Sequence, residues 1–554
     1  MPTAAELLRQ GREREVWEMC CGFTDLSLVQ FMAIQKRLLK EQLELLNRSP
    51  LGARIMRGAR PQTIEDFRRV TPLTTYNDYC PDLLEKNEDV LPVKPAMWVH
   101  TSGRSGEYDF KWIPITPSFS EVLSMIMYGL GNLSHCKGKG DMSRMPLHPK
   151  LVYTVAPRPY MSGAMATMLE QQTPIDFLPG WKEAEALPFE DRIKLGFQQA
   201  LSQGFDYFFG LSMVLVAVGE KFAQSSDKVD IRPLLSHPRA LLRLARGLVK
   251  GKMAGRRMLP RDLWSARGII SSGLDSWVYR DRIKELWGRY PLDVYAGTEG
   301  GIYATQTWDF STMTFIPNLN FLEFIPEDEH FKWELDHSYQ PRTLLLDEVK
   351  PGESYELVIT NFHGGALIRY RIGDMVEIVS LRNDRLDIDI PQMVFDRRVD
   401  GLLDFVVVRL TEKTIWEAIE NSGIPYVDWT AHKEPGEPVL KLYLELRNGF
   451  REREEVIADI LHRQIMQSET DNIKVDSPLR DDFSGSIDFR IEVSLLPPGT
   501  FAGYTAQRQA EGADLAHLKP PHINPPERVL SLLRGQPKNS GGRADVEAER
   551  VPVS

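Results

Sequence analysis

Asp374 follows Gly373 at the end of the run Leu357-Val358-Ile359-Thr360-Asn361-Phe362-His363-Gly364-Gly365-Ala366-Leu367-Ile368-Arg369-Tyr370-Arg371-Ile372. A carboxylate placed just after a strand and a glycine is held at the rim of a sheet, where it accepts hydrogen bonds from paired hydroxyls such as a ribose diol. Thr101-Ser102-Gly103-Arg104-Ser105-Gly106, followed by Lys111, offers hydroxyls and backbone N–H groups to phosphate oxygens and adds a positive charge beyond the loop. It is not a P-loop, because no Gly-Lys-Ser/Thr follows at the required distance. Tyr295-Ala296-Gly297-Thr298-Glu299-Gly300-Gly301 sends an aromatic ring, a hydroxyl and a carboxylate off one strand end, flanked by glycines. The ring can stack on a base, and the carboxylate can hold magnesium against phosphates. Each stretch has a plainer reading too: a surface hairpin with solvated charges, a Ser/Gly turn, and a glycine-rich turn whose Glu299 faces water.

These residues need strands to carry them. Leu357, Val358 and Ile359 read as a buried strand, His363-Gly364-Gly365 as a turn, and Ile368 to Arg371 as a returning strand with period-two alternation. Trp98-Val99-His100 leads into the Thr101 loop, Pro291 to Val294 into the Tyr295 segment, and Phe321 to Pro326 alternates as a further strand. Leu151 to Ala156 is a strand closed by Pro157 and Pro159, and the apolar stretch Phe208 to Val218 reads as a core helix. Glu13 to Leu46 is helical, with Phe31, Ile34, Leu38 and Leu39 on one face. Between Arg239 and Arg261 there is no acidic residue, and Arg239, Arg243, Arg246 and Lys250 share one helical face. That pattern reads as the solvated side of a core-packed helix, with a membrane surface or acidic partner as the alternative.

At 554 residues the chain exceeds what one hydrophobic core usually supports, so at least two domains are expected. Apolar content of 42% with 26% charged residues suits a soluble protein with a large core, and a net charge of -10 argues against nucleic acid as partner. Cys20, Cys21, Cys80 and Cys136 have neither metal-ligand spacing nor a disulfide framework, which points to a reducing cytoplasm. The first dozen residues are charged and lack the apolar core of a signal peptide, and Tyr207 to Val218 is too short to cross a bilayer.

Taken in order, Thr101 to Gly106, Tyr295 to Glu299 and Arg369-Tyr370-Arg371-Ile372-Gly373-Asp374 resemble the successive core motifs of the acyl-adenylating superfamily. The nearer similarity is to the auxin-responsive Gretchen Hagen family of acyl acid–amido synthetases. It is carried by Phe321 to Pro326, Gly352 to Thr360, Arg-Tyr-Arg before Gly-Asp, Pro498-Gly499-Thr500-Phe501 and His517-Leu518-Lys519-Pro520-Pro521. The resemblance runs from about Phe67 to Ile523. It implies an α/β fold with a large N-terminal adenylating domain (residues 1–396), a small mobile α+β C-terminal domain (397–534) and a polar, disordered tail (535–554). It also implies an ATP- and Mg2+-dependent ligase that joins a small carboxylic acid, through an acyl-adenylate, to an amino acid. A coenzyme A ligase and a non-catalytic nucleotide- or acyl-binding protein are the alternatives.

On the same basis Thr101, Ser102, Gly103, Ser105, Gly106 and Lys111 would restrain the phosphates, and Glu299 would hold the metal beside Thr298. Tyr295 would sit against the adenine, Asp374 would bind the ribose with help from Arg398, and Lys519 would reach the α-phosphate. Three departures stand out. Arg104 occupies a position usually taken by a small hydroxyl residue, and the spacer before Lys111 is about two residues longer. Gly297 replaces a serine, and His522 stands where the plant-type family has an arginine.

Overall fold

The computed structural model describes residues 2–101, 110–225, 238–272, 276–399, 402–405, 409–434, 437, 439–447, 449–472, 489–510, 519–525 and 527–535. Ser102, Gly103, Arg104, Ser105 and Gly106 of the expected phosphate loop, His517 and Leu518, and the tail beyond 535 lie outside the described residues. The chain divides into two compact units, Met1–Val399 and Asp400–Ser554.

In the first unit β1 (Met97–His100) and β2 (Trp112–Ile115) form an antiparallel hairpin. β3 (Lys150–Tyr153), β4 (Asp176–Leu178), β5 (Tyr207–Leu211) and β6 (Gly268–Ser272) run parallel to one another. β7 (Leu292–Gly297), β8 (Gly301–Gln306), β9 (Met313–Phe315), β10 (Asn320–Pro326), β11 (Ser354–Asn361), β12 (Tyr370–Ser380) and β13 (Gln392–Arg398) follow as antiparallel strands. β3 to β13 make one 11-stranded sheet in the order β10-β11-β12-β13-β9-β8-β7-β6-β5-β3-β4. β7 is the junction: it is parallel to β6 on one side and antiparallel to β8 on the other. In open sheets ligands gather where the direction of connection changes, outside the strand ends. Tyr295 to Gly297 end β7 there, and Thr298 and Glu299 leave the sheet in the turn that follows.

The helix Leu28–Leu46 begins at a Ser27/Gln30 capping box and buries Phe31, Leu38 and Leu39 against the sheet. Two polar residues share that buried side. Gln35 donates to the carbonyls of Pro317 (2.5 Å) and Asn320 (2.8 Å) and accepts from Leu322 N (2.9 Å). Gln42 donates to Gly365 O (3.0 Å) and accepts from Gly364 N (2.8 Å), so the helix fixes both the approach to β10 and the turn after β11.

Several elements differ from expectation. Phe208 to Leu211, the start of the expected helix, is strand, because β5 pairs with β3 and β6 and is covered on both faces; the helix starts only at Ser212. A short apolar run buried on both sides has no period that separates strand from helix. The helical region Glu13 to Leu46 is broken into Glu13–Cys20 and Leu28–Leu46 by a 3-10 turn at Gly22–Asp25. On the basic helix Pro238–Met253, Arg243 does not lie with the solvated charges but donates to Ala200 O (2.7 Å), while Leu242, Leu248, Val249 and Met253 are exposed apolar residues.

In the second unit the apolar run Leu403 to Leu410 reads as one strand, but the structure has two, β14 (Leu402–Asp404) and β15 (Arg409–Thr411), paired antiparallel. The helix Glu412–Asn421 follows, capped by Thr411. β16 (Tyr426–Lys433), β17 (Val439–Leu446) and β18 (Arg490–Leu496) form a sheet, β17 running antiparallel to β16 and parallel to β18. The spacing of Ile457, Ile460, Leu461 and Ile465 predicts one buried helix face; on the helix Glu454–Asn472, Ile457, Leu461 and Ile465 are buried and Ile460 is partly exposed. Among the described residues no helix is long and apolar enough to cross a membrane.

Candidate functional site

Asp374 lies in β12 directly opposite Arg398 of β13, and the two side chains meet at 3.4 Å (Oδ1 to Nη1). Gly373 precedes it at φ +78°, a conformation open to glycine without strain, and this aims the strand's carboxylate out of the regular pleat. The Tyr295 hydroxyl donates to Asp374 Oδ2 at 2.9 Å. The Tyr295 ring is itself buried, packed at 4.9 Å from Tyr303 and 5.7 Å from Phe395. Burial first, and the neighbouring Asp374 charge second, push the Tyr295 phenol well above its ordinary range, so it stays a neutral donor. Tyr295 thus has its hydroxyl on the Asp374 carboxylate and its ring packed among Tyr303 and Phe395.

Glu299 sits in the turn Thr298–Gly300 at the end of β7. That turn is pinned from beneath by two buried amides. Asn361 donates to Glu299 O and to Asn320 Oδ1, both at 2.9 Å, and Asn320 donates to Gly300 O at 2.7 Å. Tyr303 fills the space under the turn: a Cβ on Gly297 would come within 2.7 Å of its hydroxyl, so the expected serine has no room here. The Glu299 charge also reaches Tyr303 and Tyr370, whose phenols are raised by burial first and by this carboxylate next. Among the described residues the Glu299 carboxylate has no hydrogen-bond or ion-pair partner, and no three His, Cys, Asp or Glu side chains converge on a metal position. One hard oxygen donor on a rigid turn fits a magnesium ion whose other ligands come from phosphates and water.

Thr101 and Lys111 close the base of the loop outside the described residues. Thr101 N donates to Lys111 O (3.0 Å) and Lys111 N to Thr101 Oγ1 (3.2 Å). Tyr76 holds the next residue, accepting from Trp112 N (2.7 Å) and donating to Trp112 O (3.1 Å), with the Lys111 ammonium 5.8 Å from its ring centre. Thr74 joins this region to β12: its N–H donates to Arg369 O and its carbonyl accepts from Arg371 N, each at 2.9 Å. Tyr295, Asp374 and Arg398 are thus in direct contact, while Glu299, Thr101 and Lys111 are tied to them through intervening residues. Arg398 ends a strand of the first unit rather than starting the second. Lys519 belongs to the second unit, where its Nζ is 3.0 Å from Asp428 Oδ2.

Arg369 and Arg371 do not face solvent. Arg369 makes five hydrogen bonds, two to Glu323 (3.0 and 2.9 Å) and the others to Arg68 O, Thr71 O and Thr343 Oγ1. Arg371 chelates Glu356 (2.8 and 2.6 Å) and lies 3.7 Å over the Trp333 ring. Burial would raise the Glu356 carboxyl, but His330 and Arg371 together hold it below the ordinary range. The Arg-Tyr-Arg segment is a clamp behind Asp374. Gln35, Gln42, Asn320 and Asn361 were not among the expected residues; two amides a heptad apart on an apolar helix face are the one visible sign.

Comparison with known proteins bears on both ends of this arrangement. Residues 25–145 match the GH3 family N-terminal domain, and residues 313–398, from β9 through β13, match the GH3 family central domain. The resemblance carried by the Arg-Tyr-Arg-x-Gly-Asp motif is thereby found. A 4-substituted benzoates-glutamate ligase from Arabidopsis thaliana is 27% identical over 238 residues, 40% of this chain and 38% of the relative. A jasmonoyl–L-amino acid synthetase from Nicotiana attenuata is 32% identical over 190 residues, 31% of this chain and 30% of the relative. In both pairings this chain covers less than two fifths of the relative's length. The fold reaches further. An acyl acid amido synthetase solved with 2,4-DB superposes with TM-score 0.65 at 15% identity, over 93% of this chain and 95% of the other. A 2-hydroxyisobutyryl-CoA ligase in its postadenylation state gives 0.59 at 14% identity, over 92% and 93%. The α/β fold is that of these enzymes.

Proposed function

We propose that this chain is an ATP-dependent ligase that activates a small carboxylic acid as its acyl-adenylate and passes the acyl group to the amine of an amino acid. The observation that carries the reading is the Tyr295–Asp374–Arg398 contact beside the pinned Glu299 turn, at the one strand where the sheet changes from parallel to antiparallel. A carboxylate is a poor electrophile because its leaving group would be oxide. In the first half-reaction one of its oxygens bonds to the α-phosphorus of ATP and pyrophosphate leaves, giving a mixed anhydride with AMP. In the second the amine nitrogen attacks the acyl carbon, AMP leaves with the electron pair, and the nitrogen loses its proton to solvent. Asp374 accepts from the ribose hydroxyls while Tyr295 and Arg398 hold it in place. Thr101 to Gly106 with Lys111 restrain the phosphates. Glu299 and Thr298 face the phosphate region, where Mg2+ held by Glu299 would neutralise charge. Lys519 stabilises charge as the α-phosphate is attacked. The amino-acid acceptor is favoured by what the two curated relatives are named for, and free thiols and the lack of a membrane-crossing helix among the described residues suit a cytoplasmic enzyme.

The deciding measurement is acid-dependent exchange of labelled pyrophosphate into ATP across a panel of small acids. Exchange is expected; its absence with every acid would leave a nucleotide-binding protein. Amide formation with amino acids, assayed separately from thioester formation with coenzyme A, assigns the acceptor.

Two substitutions probe the pocket. Asp374→Ala removes a charged acceptor of two hydroxyls and should weaken ATP binding by about 2 kcal/mol. The fold should persist, because Tyr295 remains packed by its ring. Unchanged ATP affinity in a folded variant would return Asp374 to a structural role. Glu299→Gln should slow adenylation, with partial recovery as magnesium is raised. Wild-type rates throughout the magnesium titration would show a glutamate that merely faces water.

A further inference from the structure

The segment 519–525 lies along β16. Ala431 N donates to His522 O at 2.6 Å, Asn524 N donates to Ala431 O at 2.9 Å, and Thr430 Oγ1 donates to Pro521 O at 2.6 Å. The His522 ring stacks on Trp429 (centroids 4.5 Å apart, planes 8° apart) and meets Trp416 edge-on at 4.8 Å. Its Nδ1 is 2.6 Å from Glu412 Oε1 and its Nε2 2.8 Å from Asp428 Oδ1. A carboxylate on each nitrogen requires both to donate, which only the imidazolium does. The other oxygen of Asp428 faces Lys519 Nζ at 3.0 Å. The carboxylate side chain is 7% exposed, the imidazole 9% and the lysine 36%, so the chain of charges runs from a buried ring to an ammonium at the surface.

We propose that His522 is the positioning residue of Lys519: its imidazolium holds Asp428 so that one oxygen is turned toward the lysine, presenting the ammonium in a single orientation for the first half-reaction. This rests on the ligase reading above and on Lys519 acting in that step. The four groups Glu412, Asp428, His522 and Lys519 balance in charge, and among the described residues the titratable groups facing the ring are Glu412 on its helix, Asp428 on β16 and, through Asp428, Lys519. A neutral ring donates once only, so one carboxylate contact becomes repulsive and the segment loses an anchor. Burial works against the charged ring, but the bonds to Asp428 and then Glu412 raise His522 to about 9. Burial likewise works against the Asp428 charge, yet His522 and Lys519 hold that carboxyl at about 2. A histidine raised in the fold contributes fully below its ordinary value of 6.5 and loses that contribution as pH rises through about 9. Asp428 contributes above its ordinary value of 3.8 and loses this as pH falls through about 2. Of these two groups, His522 is the one whose contribution is lost on the alkaline side.

The test uses the full chain with both half-reactions assayed apart. His522→Gln should lower acid-dependent pyrophosphate release by about tenfold to a hundredfold, the scale for misplacing a charged group by an ångström. Transfer from ready-made acyl-adenylate should stay near normal. His522→Arg, permanently charged, should recover much of the release and keep it at pH above about 9, where the parent rate falls. Equal losses in both half-reactions, or the same alkaline limb in parent and arginine variant, would overturn the proposal. A readout apart from activity is the His522 ring signal by NMR, expected to titrate near 9 in the parent chain and lower in Asp428→Asn. A ring that titrates at its ordinary value would overturn the charge chain itself. A parent chain with no pyrophosphate exchange would instead overturn the ligase reading, and a Lys519→Ala variant with full exchange would overturn the lysine's role.

Discussion

Arg369→Ala should lower the stability of the Met1–Val399 unit by about 3–5 kcal/mol, the scale for stripping one partner from a buried ion pair. Glu323 is 0% exposed and Arg369 6%, and the carboxylate would be left with Thr343 Oγ1 at 2.7 Å and Arg68 at 3.6 Å. The carbonyls of Arg68 and Thr71 would lose their donor as well. Arg369 also sits at φ +45°, a left-handed conformation unusual for a side-chain-bearing residue. Its backbone is held there by Thr360 Oγ1, which accepts from Arg369 N at 2.8 Å, and by Thr74 N, which donates to Arg369 O at 2.9 Å. Alanine inherits that strain without the guanidinium that repays it. Denaturant unfolding of the full chain, followed by tryptophan fluorescence, measures the loss. The double variant Arg369→Met/Glu323→Met should regain a substantial part, since no charge is then left unpaired. A loss below about 1 kcal/mol for Arg369→Ala would mean that the pair behaves like a surface salt bridge. Because the clamp lies behind Asp374, the folded fraction of Arg369→Ala should also bind ATP less well.

Lys519→Ala should depress acid-dependent pyrophosphate release about a hundredfold or more, as for the loss of one preorganised electrostatic contact. Supplied with ready-made acyl-adenylate, the same variant should transfer the acyl group at near the normal rate, since the charge that the lysine stabilises exists only while the α-phosphate is attacked. The fold gives a reason to expect a clean result. Removing Lys519 leaves Asp428 bonded to His522 at 2.8 Å, so no buried carboxylate is stranded, and the lysine's own side chain is 36% exposed. Pro520 and Pro521 keep the following backbone stiff. Equal loss in both assays would mean that the lysine binds nucleotide throughout the cycle or supports the fold. No loss in either would leave the lysine with a structural part alone, its ion pair with Asp428.

What the chain determined by itself was its local grammar. Leu357-Val358-Ile359 and the turn at His363-Gly364 appear where their residues put them, while the returning strand starts at Tyr370 rather than Ile368, with Ile359 opposite Tyr370 and Val358 opposite Arg371. The apolar face of Leu28–Leu46 and the strand Val439–Leu446, where Leu440, Leu442, Leu444 and Leu446 alternate, are equally readable, because 3.6- and 2-residue periods are properties of a few consecutive side chains. Motif order sufficed to point to the GH3 domains. What only the tertiary structure decided is which polar residues are inside. Arg369 and Arg371 look like solvated charges until Glu323 and Glu356, 46 and 15 residues away, are set opposite them. Gln35 finds its partners 282 to 287 residues along the chain, and His522 reaches Asp428 across 94. β16, which carries Asp428, was not anticipated, and Tyr207 to Leu211 became a strand only because β3 and β6 flank it. A buried charge or amide is stable only when partners satisfy it, and those partners are supplied by distant segments. Spacing along the chain reports which side chains can share a face; whether that face meets water or a complementary charge is settled only when the sheet has closed over it.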